Sequence, residues 1–254
     1  MPRMTFILAV VYFALVEFVI VLYSPQGKMF FFPAVPAPEV CPLVLPVKNI
    51  PDYAGETIVY DVKMGAVKIG TSTFRHEQRA PYNGIDAQQI IFKTNVVQIN
   101  DTETIWAGSE DFMPMHIERE VRMWPKYERI TESYDQGNHT LDITKTAGGD
   151  RETTRIVRQG PIHNAILLPY QVRRIPDLVP GWTMKVTLPT QEFEITLKSL
   201  EEVTVPAGTF NAFYFASEPK RFEIWISADD LRIPVKIKGS SGLNYTMSMR
   251  SYSK

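Results

Sequence analysis

Cysteine is nearly missing from this 254-residue chain: Cys41 is the only one, so no intramolecular disulfide can staple the fold. Histidine is scarce too. His76, His116, His139 and His163 stand far apart, without the paired spacing that builds a zinc site. Neither sign of charge dominates. With 27 Lys plus Arg against 28 Asp plus Glu, the chain has no overall basic field to hold a polyanion, which excludes nucleic acid as an expected partner. Phosphate-binding glycine loops are absent, and Ser240-Ser241-Gly242 lacks the strand-turn-helix setting of a nucleophile elbow. Long helical patterns alternating with strands are missing as well, so a doubly wound parallel sheet is excluded. What the chain does have is a globular composition, 44% hydrophobic and 22% charged.

The longest apolar run opens the sequence. Met4 to Tyr23 reads MTFILAVVYFALVEFVIVLY, 20 residues in which Thr5 and Glu17 alone are clearly polar, the length of a membrane-spanning helix. A cleaved secretory signal has a shorter apolar core, about 7–15 residues, followed by a small-x-small site. Here the nearest small residues, Ala34 and Ala37, are crowded by prolines. The pattern favours a retained single-pass signal-anchor over residues 1–24, with a cleaved signal segment as the alternative. Glu17 in mid-span reads either as a tolerated protonated acid or as a helix-helix contact. Arg3 precedes the span and Lys28 is the first cation after it, which orients the remainder out of the cytoplasm. Residues 25–51 hold seven of the 19 prolines and predict an extended spacer. Cys41, within that spacer, lacks the small residues before it that lipoprotein processing needs and reads as an unmodified thiol.

From Asp52 to Lys254 the texture is that of an all-β exported domain. About 14 short runs rich in β-branched and aromatic residues, among them ETIVYDVK (56–63), AQQIIFKTNVVQI (87–99) and RFEIWIS (221–227), are separated by brief Gly, Asn, Asp or Pro breaks. Short gaps predict antiparallel hairpins. So many strands predict a large, strongly curved antiparallel sheet: an open barrel or half-barrel, with a two-layer packing as the alternative. One helix is predicted, over 162–174, broken or kinked at Pro169. Two middle runs carry charge on both faces. IEREVRMW sets Glu118, Glu120 and Arg122 against Arg119, and YERITESY sets Glu128 and Glu132 against Arg129. That section either projects into water or lines a wet concavity.

Three motifs in order, GETIVYDVKMGAVKIGTSTF (55–74), VTVPAGTFNAF (203–213) and IWISADDLRIPVKIKG (224–239), resemble a family of exported bacterial proteins known as domain of unknown function 3108. The resemblance covers roughly residues 53–252. It implies a cell-envelope location and a β-rich fold with a short helix, and no reaction; together with the apolar segment 4–23 read as an anchor, the expected place is the bacterial inner membrane, with the β domain in the periplasm or otherwise outside the cytoplasm. The acidic residue that often starts the family's helix is replaced by Pro161-Ile162-His163.

Read as residues, the motifs are structural. Gly65 and Gly70, with Thr71 behind them, bracket a bend and a bulge in the first hairpin. Pro206 and Gly208 make a tight turn followed by Thr209 and Phe210, with Thr209 able to bond the backbone. Asp229 and Asp230 close a turn in which Arg232 is expected to pair with a carboxylate, and Pro234 starts the next strand. The alternative for Asp229, Asp230 and Arg232 is a cation or catalytic site. Trp225 and the other tryptophans read as packing, and the histidines as surface or hairpin residues. No catalytic residue, metal or cofactor is assigned. The chain is read as a non-enzyme: first, a membrane-anchored module that binds or carries a lipid or other apolar ligand on the curved sheet. Next come a structural or assembly factor working through contacts with envelope proteins, and a hydrolase with an unidentified site.

Overall fold

A computed structural model describes residues 52–239 and 244–254. The expected anchor (1–24) and spacer (25–51), with Glu17 and Cys41, lie outside these residues, as does Ser240-Ser241-Gly242. Among the described residues no helix is long and apolar enough to cross a membrane.

The first strands form a meander: β1 (Thr57–Met64), β2 (Val67–His76), β3 (Ala80–Tyr82), β4 (Ile85–Val96), β5 (Ile99–Gly108), β6 (Pro114–Met123), β7 (Lys126–Asp135), β8 (Thr140–Ala147) and β9 (Asp150–Val157). Helix α1 (Leu168–Arg173) interrupts it. A second meander follows, β10 (Thr183–Thr187), β11 (Glu192–Val205), β12 (Gly208–Glu218), β13 (Phe222–Ser227), β14 (Pro234–Gly239) and β15 (Tyr245–Ser253). Each run expected from the sequence carries a strand; the three-residue β3 was not anticipated. The run 87–99 divides earlier than expected. Val97 turns with φ +48, which gives Ile99 to β5.

All pairings are antiparallel, in a single 15-stranded sheet of order β10-β11-β12-β13-β14-β15-β1-β2-β4-β5-β6-β7-β8-β9, with β3 beside β4. The first and last strands therefore meet in its middle, from Thr57 against Ser253 to Met64 against Tyr245. β9 and β10 are the two edges and do not pair, so the sheet is not closed. It is nonetheless strongly curled. β13 and β5 stand six places apart in the strand order, yet Ile224 and Glu103 line one cavity. Period-two alternation supplies its inner face, as in β1, where Ile58, Tyr60 and Val62 are buried and their neighbours are less so.

The segment between β9 and α1 covers the gap between the edges. Arg158 donates to the Pro189 carbonyl, and the His163 N–H donates to Thr187 O at 2.7 Å. Gln136 holds Ile162 reciprocally, donating to its carbonyl at 2.9 Å and accepting its N–H at 3.0 Å. An unpaired edge thereby gains side-chain and backbone partners without a strand. Helix α1 is shorter than the expected 162–174 because Pro169 falls in its first turn, where a missing N–H costs nothing and the fixed φ suits a helix start. Pro169 thus opens the helix instead of breaking it.

α1 is held from within. Arg173 and Glu56, each 1% exposed at the side chain, make a two-pronged pair with both N···O distances 2.6 Å. The guanidinium also donates to Leu231 O at 2.9 Å and lies 4.0 Å from the Tyr53 ring centroid. Tyr170 stacks on Phe112 at 5.4 Å. One arginine so joins the helix, the start of β1 and the β13–β14 turn.

Removing one partner of a buried pair strands the other's charge. Arg173→Met should lower unfolding free energy by about 3–5 kcal/mol in urea titrations. The double variant Glu56→Gln, Arg173→Met should regain a measurable part of that loss. Equal stability of the single and double variants would count against the pair's role.

Glycine behaves differently at the two positions of the first hairpin. A Cβ on Gly70 would stand 2.0 Å from the Asn95 carbonyl oxygen on β4, whereas one on Gly65, at φ +57, would meet nothing within 4 Å. Gly65→Ala should cost only the left-handed backbone penalty, about 1–2 kcal/mol. Gly70→Ala should cost more, because two backbones must separate, and thermal melts of the two variants give the comparison.

Candidate functional site: an apolar cavity with a charged end

Inward side chains of β1, β2, β4, β5, β6 and β13–β15, with residues 165–169 before and within α1, enclose a cavity of about 70 Å³. On a measure by which one water needs about 10–15 Å³, that admits several water-sized groups. Most of its wall is apolar, including Val62, Phe92, Ile99, Ile224 and Met247. Ser72 and Thr94 also face it, but their hydroxyls bond each other at 2.9 Å.

The charged groups of the lining, Asp101, Glu103 and Arg119, form one cluster. Arg119 of β6 is 2% exposed and donates through Nε to Asp101 Oδ1 at 2.9 Å and through Nη2 to Asp101 Oδ2. Glu103 Oε1 is 3.4 Å from the same Nε. Glu132 of β7, 4% exposed, accepts from the Tyr134 hydroxyl at 2.5 Å. Arg119 Nη1 is buried with no hydrogen-bond partner. Asp101 and Glu103 are register partners of Val121 and Arg119 across β5–β6, and Glu132 is that of Ile117 across β6–β7, so sheet pairing itself gathers the charges.

One guanidinium serves three carboxyl groups, and Asp101 takes the two-pronged contact. Burial therefore pushes the Glu103 carboxyl up to about 8 despite the pull of Arg119. Burial also raises Glu132, against the Tyr134 hydrogen bond and Arg119. Near neutral pH the cluster is best described as an Asp101–Arg119 ion pair beside a protonated Glu103.

Both-face charge on β6 and β7 thus resolves into two populations. Glu118, Arg122 and Arg129 face water, while Arg119, Glu128 and Glu132 are buried inward, with Glu128 2.8 Å from Lys145. The signal for Arg119 is its place in the row Ile117, Arg119, Val121, where a cation interrupts an apolar face.

The motif residues singled out in the sequence lie elsewhere, and none lines the cavity. Gly65, Gly70 and Thr71 shape the first hairpin, whose register shifts between Val62 and Lys63. Pro206 and Ala207 form the two-residue turn closed by Val205 and Gly208; Thr209 bonds the Thr204 hydroxyl at 3.0 Å, and Phe210 packs on the core. Asp229 Oδ1 accepts from Ser227 Oγ and from the N–H groups of Leu231 and Arg232 at 2.7–3.1 Å, a turn closure. Asp230 is exposed, and Pro234 opens β14 while its carbonyl accepts from the Tyr60 hydroxyl at 2.6 Å. Arg232 donates to the Ile175 carbonyl just past α1 and not to the expected carboxylate. The turn's own donors occupy Asp229, and a carbonyl beyond the helix end is free to accept. Trp225 is 5% exposed on the other face of β13, stacked on Tyr214 at 4.7 Å and donating to Glu201 at 2.7 Å.

Two histidines are not surface residues. His76 is 1% exposed, bonded to Gln88 at 2.8 Å with its basicity lowered by burial, and His116 is 8% exposed, stacked on Tyr82 at 5.0 Å. His76 lies on the inner face of β2 under Phe112 and Tyr170, whereas His116 is on the outer face of β6, covered by Tyr82 and Trp106. Among the described residues, no group of three or more His, Cys, Asp or Glu is placed to hold a metal.

Fold and cavity define an open, curled antiparallel β-sheet domain with a buried arginine-carboxyl cluster at its hollow. The profile of the family of proteins of unknown function DUF3108 matches residues 59–250, and the chain belongs to that family. No curated protein sequence matches it. Among solved structures, a β-barrel-like protein of domain of unknown function DUF1849 from Brucella abortus is similar with TM-score 0.48 and 6% identity, covering 78% of this chain and 96% of that one. A candidate exported protein with a YmcC-like fold from Bacteroides fragilis is similar with TM-score 0.29 and 10% identity, covering 81% and 98%.

A carboxyl raised in the folded state binds its proton more tightly there than in the unfolded chain. Its contribution is complete below the ordinary carboxylate range and is lost as pH rises through about 8. Glu103→Gln keeps the shape and removes the titration, so its stability relative to wild type should increase steadily from pH 5 to pH 8.5 in urea unfolding. Parallel pH profiles for the two proteins would show that Glu103 titrates normally.

Proposed function

We propose that this protein is a non-enzymatic binding or carrier module of the cell envelope, holding the apolar part of an amphiphile inside its curled sheet. The carrying observation is the cavity: an apolar wall built from strands far apart in the sheet, ending on a buried polar cluster. A sheet folded only for stability gains nothing from leaving that space unfilled, since lining atoms lose contacts.

The strand directions add support. Val62, Ile99 and Tyr245 place one end of the cavity toward the hairpin tips, while residues 165–169 close the side toward α1. Three tips at that end present exposed apolar side chains: Val67 at 64%, Val97 at 61% and Trp124 at 89%. Apolar groups around a cavity suit exchange of a ligand with a lipid surface. The apolar segment 4–23, read as an inner-membrane anchor with the β domain outside the cytoplasm, would keep the module near such a surface. The assembly-factor reading draws on a different observation: β9 is an outer edge of the sheet and its residues are mostly exposed.

A fluorescent long-chain acyl probe should bind the detergent-extracted full-length protein saturably at one site and be competed by unlabelled lipid. Ala165→Phe, which fills the cavity from the α1 side, should weaken binding at least about tenfold with the unfolding midpoint little changed. No saturable binding by the wild type would leave the carrier reading without support and favour an envelope protein as the partner, which crosslinking through β9 would detect.

A further inference from the structure

Arginine carries five N–H donors, and in Arg119 those on Nε and Nη2 are directed at Asp101. Nη1 is different: it is fully buried, its side chain lines the cavity, and it has no acceptor. A buried charged donor left unmade is among the more costly features a fold can keep. Its neighbours cannot relieve it, since Asp101 is engaged on the other edge of the guanidinium and Glu103 approaches Nε.

We infer that Arg119 Nη1, with Glu103 beside it, is a head-group subsite for a neutral hydrogen-bond acceptor, the carbonyl of an acyl ester or amide, and that it discriminates against anionic heads. This rests on the reading of the cavity as the site of an apolar ligand and names the class of ligand it takes. Charge counting carries the discrimination. Asp101, Glu103 and Glu132 already surround one guanidinium, so a fourth acid would enter a desolvated site that is rich in carboxyl groups. A carbonyl oxygen supplies lone pairs without charge. Glu103, protonated through burial, adds an O–H donor at the same end. The chain attached to that carbonyl would lie along Phe92, Ile99, Ile224 and Met247. No bond is made or broken.

The test uses full-length protein in non-ionic detergent and three pyrene-labelled chains of equal length: a methyl ester, a sulfonate, and a headless hydrocarbon. The ester should bind about tenfold more tightly than the hydrocarbon, a difference that hydrophobicity alone would reverse, and the sulfonate should bind most weakly. Arg119→Met should abolish the preference for the ester over the hydrocarbon. Should that variant fail to fold, Glu103→Leu, which leaves Arg119 paired with Asp101, should reduce the same preference. Equal binding of ester and hydrocarbon overturns the subsite and leaves the carrier reading standing. Sulfonate binding as tight as the ester overturns it in favour of an anion site, and absence of binding by all three overturns the subsite and the carrier reading together.

Discussion

A guanidinium and a carboxylate, both sealed from water, hold this architecture together at the place where its two meanders meet. Arg173 reaches from α1 to Glu56, which immediately precedes β1, and to the carbonyl of Leu231 in the turn between β13 and β14. β1 pairs with β15 in the middle of the sheet, so whatever positions the start of β1 positions the seam between the halves. The pair also requires the helix to sit inside the curl, because neither charge can be buried without the other. From that requirement follow the cover over the edge gap, the aromatic stack of Tyr170 on Phe112, and the closure of one end of the cavity by residues 165–169.

Arg119 is buried just as deeply and does something else. Arg173 spends Nη1 and Nη2 on protein acceptors, two on Glu56 and one on Leu231, and packs on Tyr53; its Nε, too, is buried without a partner, but Arg173 does not line the cavity. Arg119 is satisfied on one edge only, by Asp101; its Nη1 is buried without an acceptor, and the side chain lines the hollow. The difference is one of stoichiometry and surroundings: a one-to-one pair in a packed core is structural, whereas one cation among three acids beside an unfilled apolar space has capacity to spare. The same contrast separates the Asp229 turn from the cavity. Asp229 has its donors within its own turn, and Arg232 finds a carbonyl beyond the helix, so that acidic motif completes itself.

The helix shows how local signals were read correctly in kind and wrongly in extent. Pro169 marks a helix boundary in any reading, but whether it ends or begins one depends on what flanks it in space. Ile162 and His163, inside the expected helix, are drawn instead into bonds with Gln136 in the β7–β8 turn and with Thr187 on the edge strand β10. The histidines show the same limit: His76 alternates into the inner face of β2, and no local pattern says how thick the layer over that face will be.

The all-β class, the succession of strands, the turns at Gly65 and at Pro206–Gly208, and the absence of a metal or phosphate motif were all determined by the sequence alone. Each depends on residues within a few positions of one another: period-two alternation, β-branched content and left-handed or proline-restricted turn backbones. Membership of the DUF3108 family was legible for the same reason, through short motifs in a set order. Only the tertiary structure decided that β1 lies against β15, that the sheet curls until β13 and β5 share a hollow, and that Arg119 is enclosed while Arg122, three residues further on and on the opposite face, is in water. These are outcomes of pairing between distant segments and of how much chain covers each face. Burial of a charge is a property of everything around it, and that information is spread over strands no local window contains.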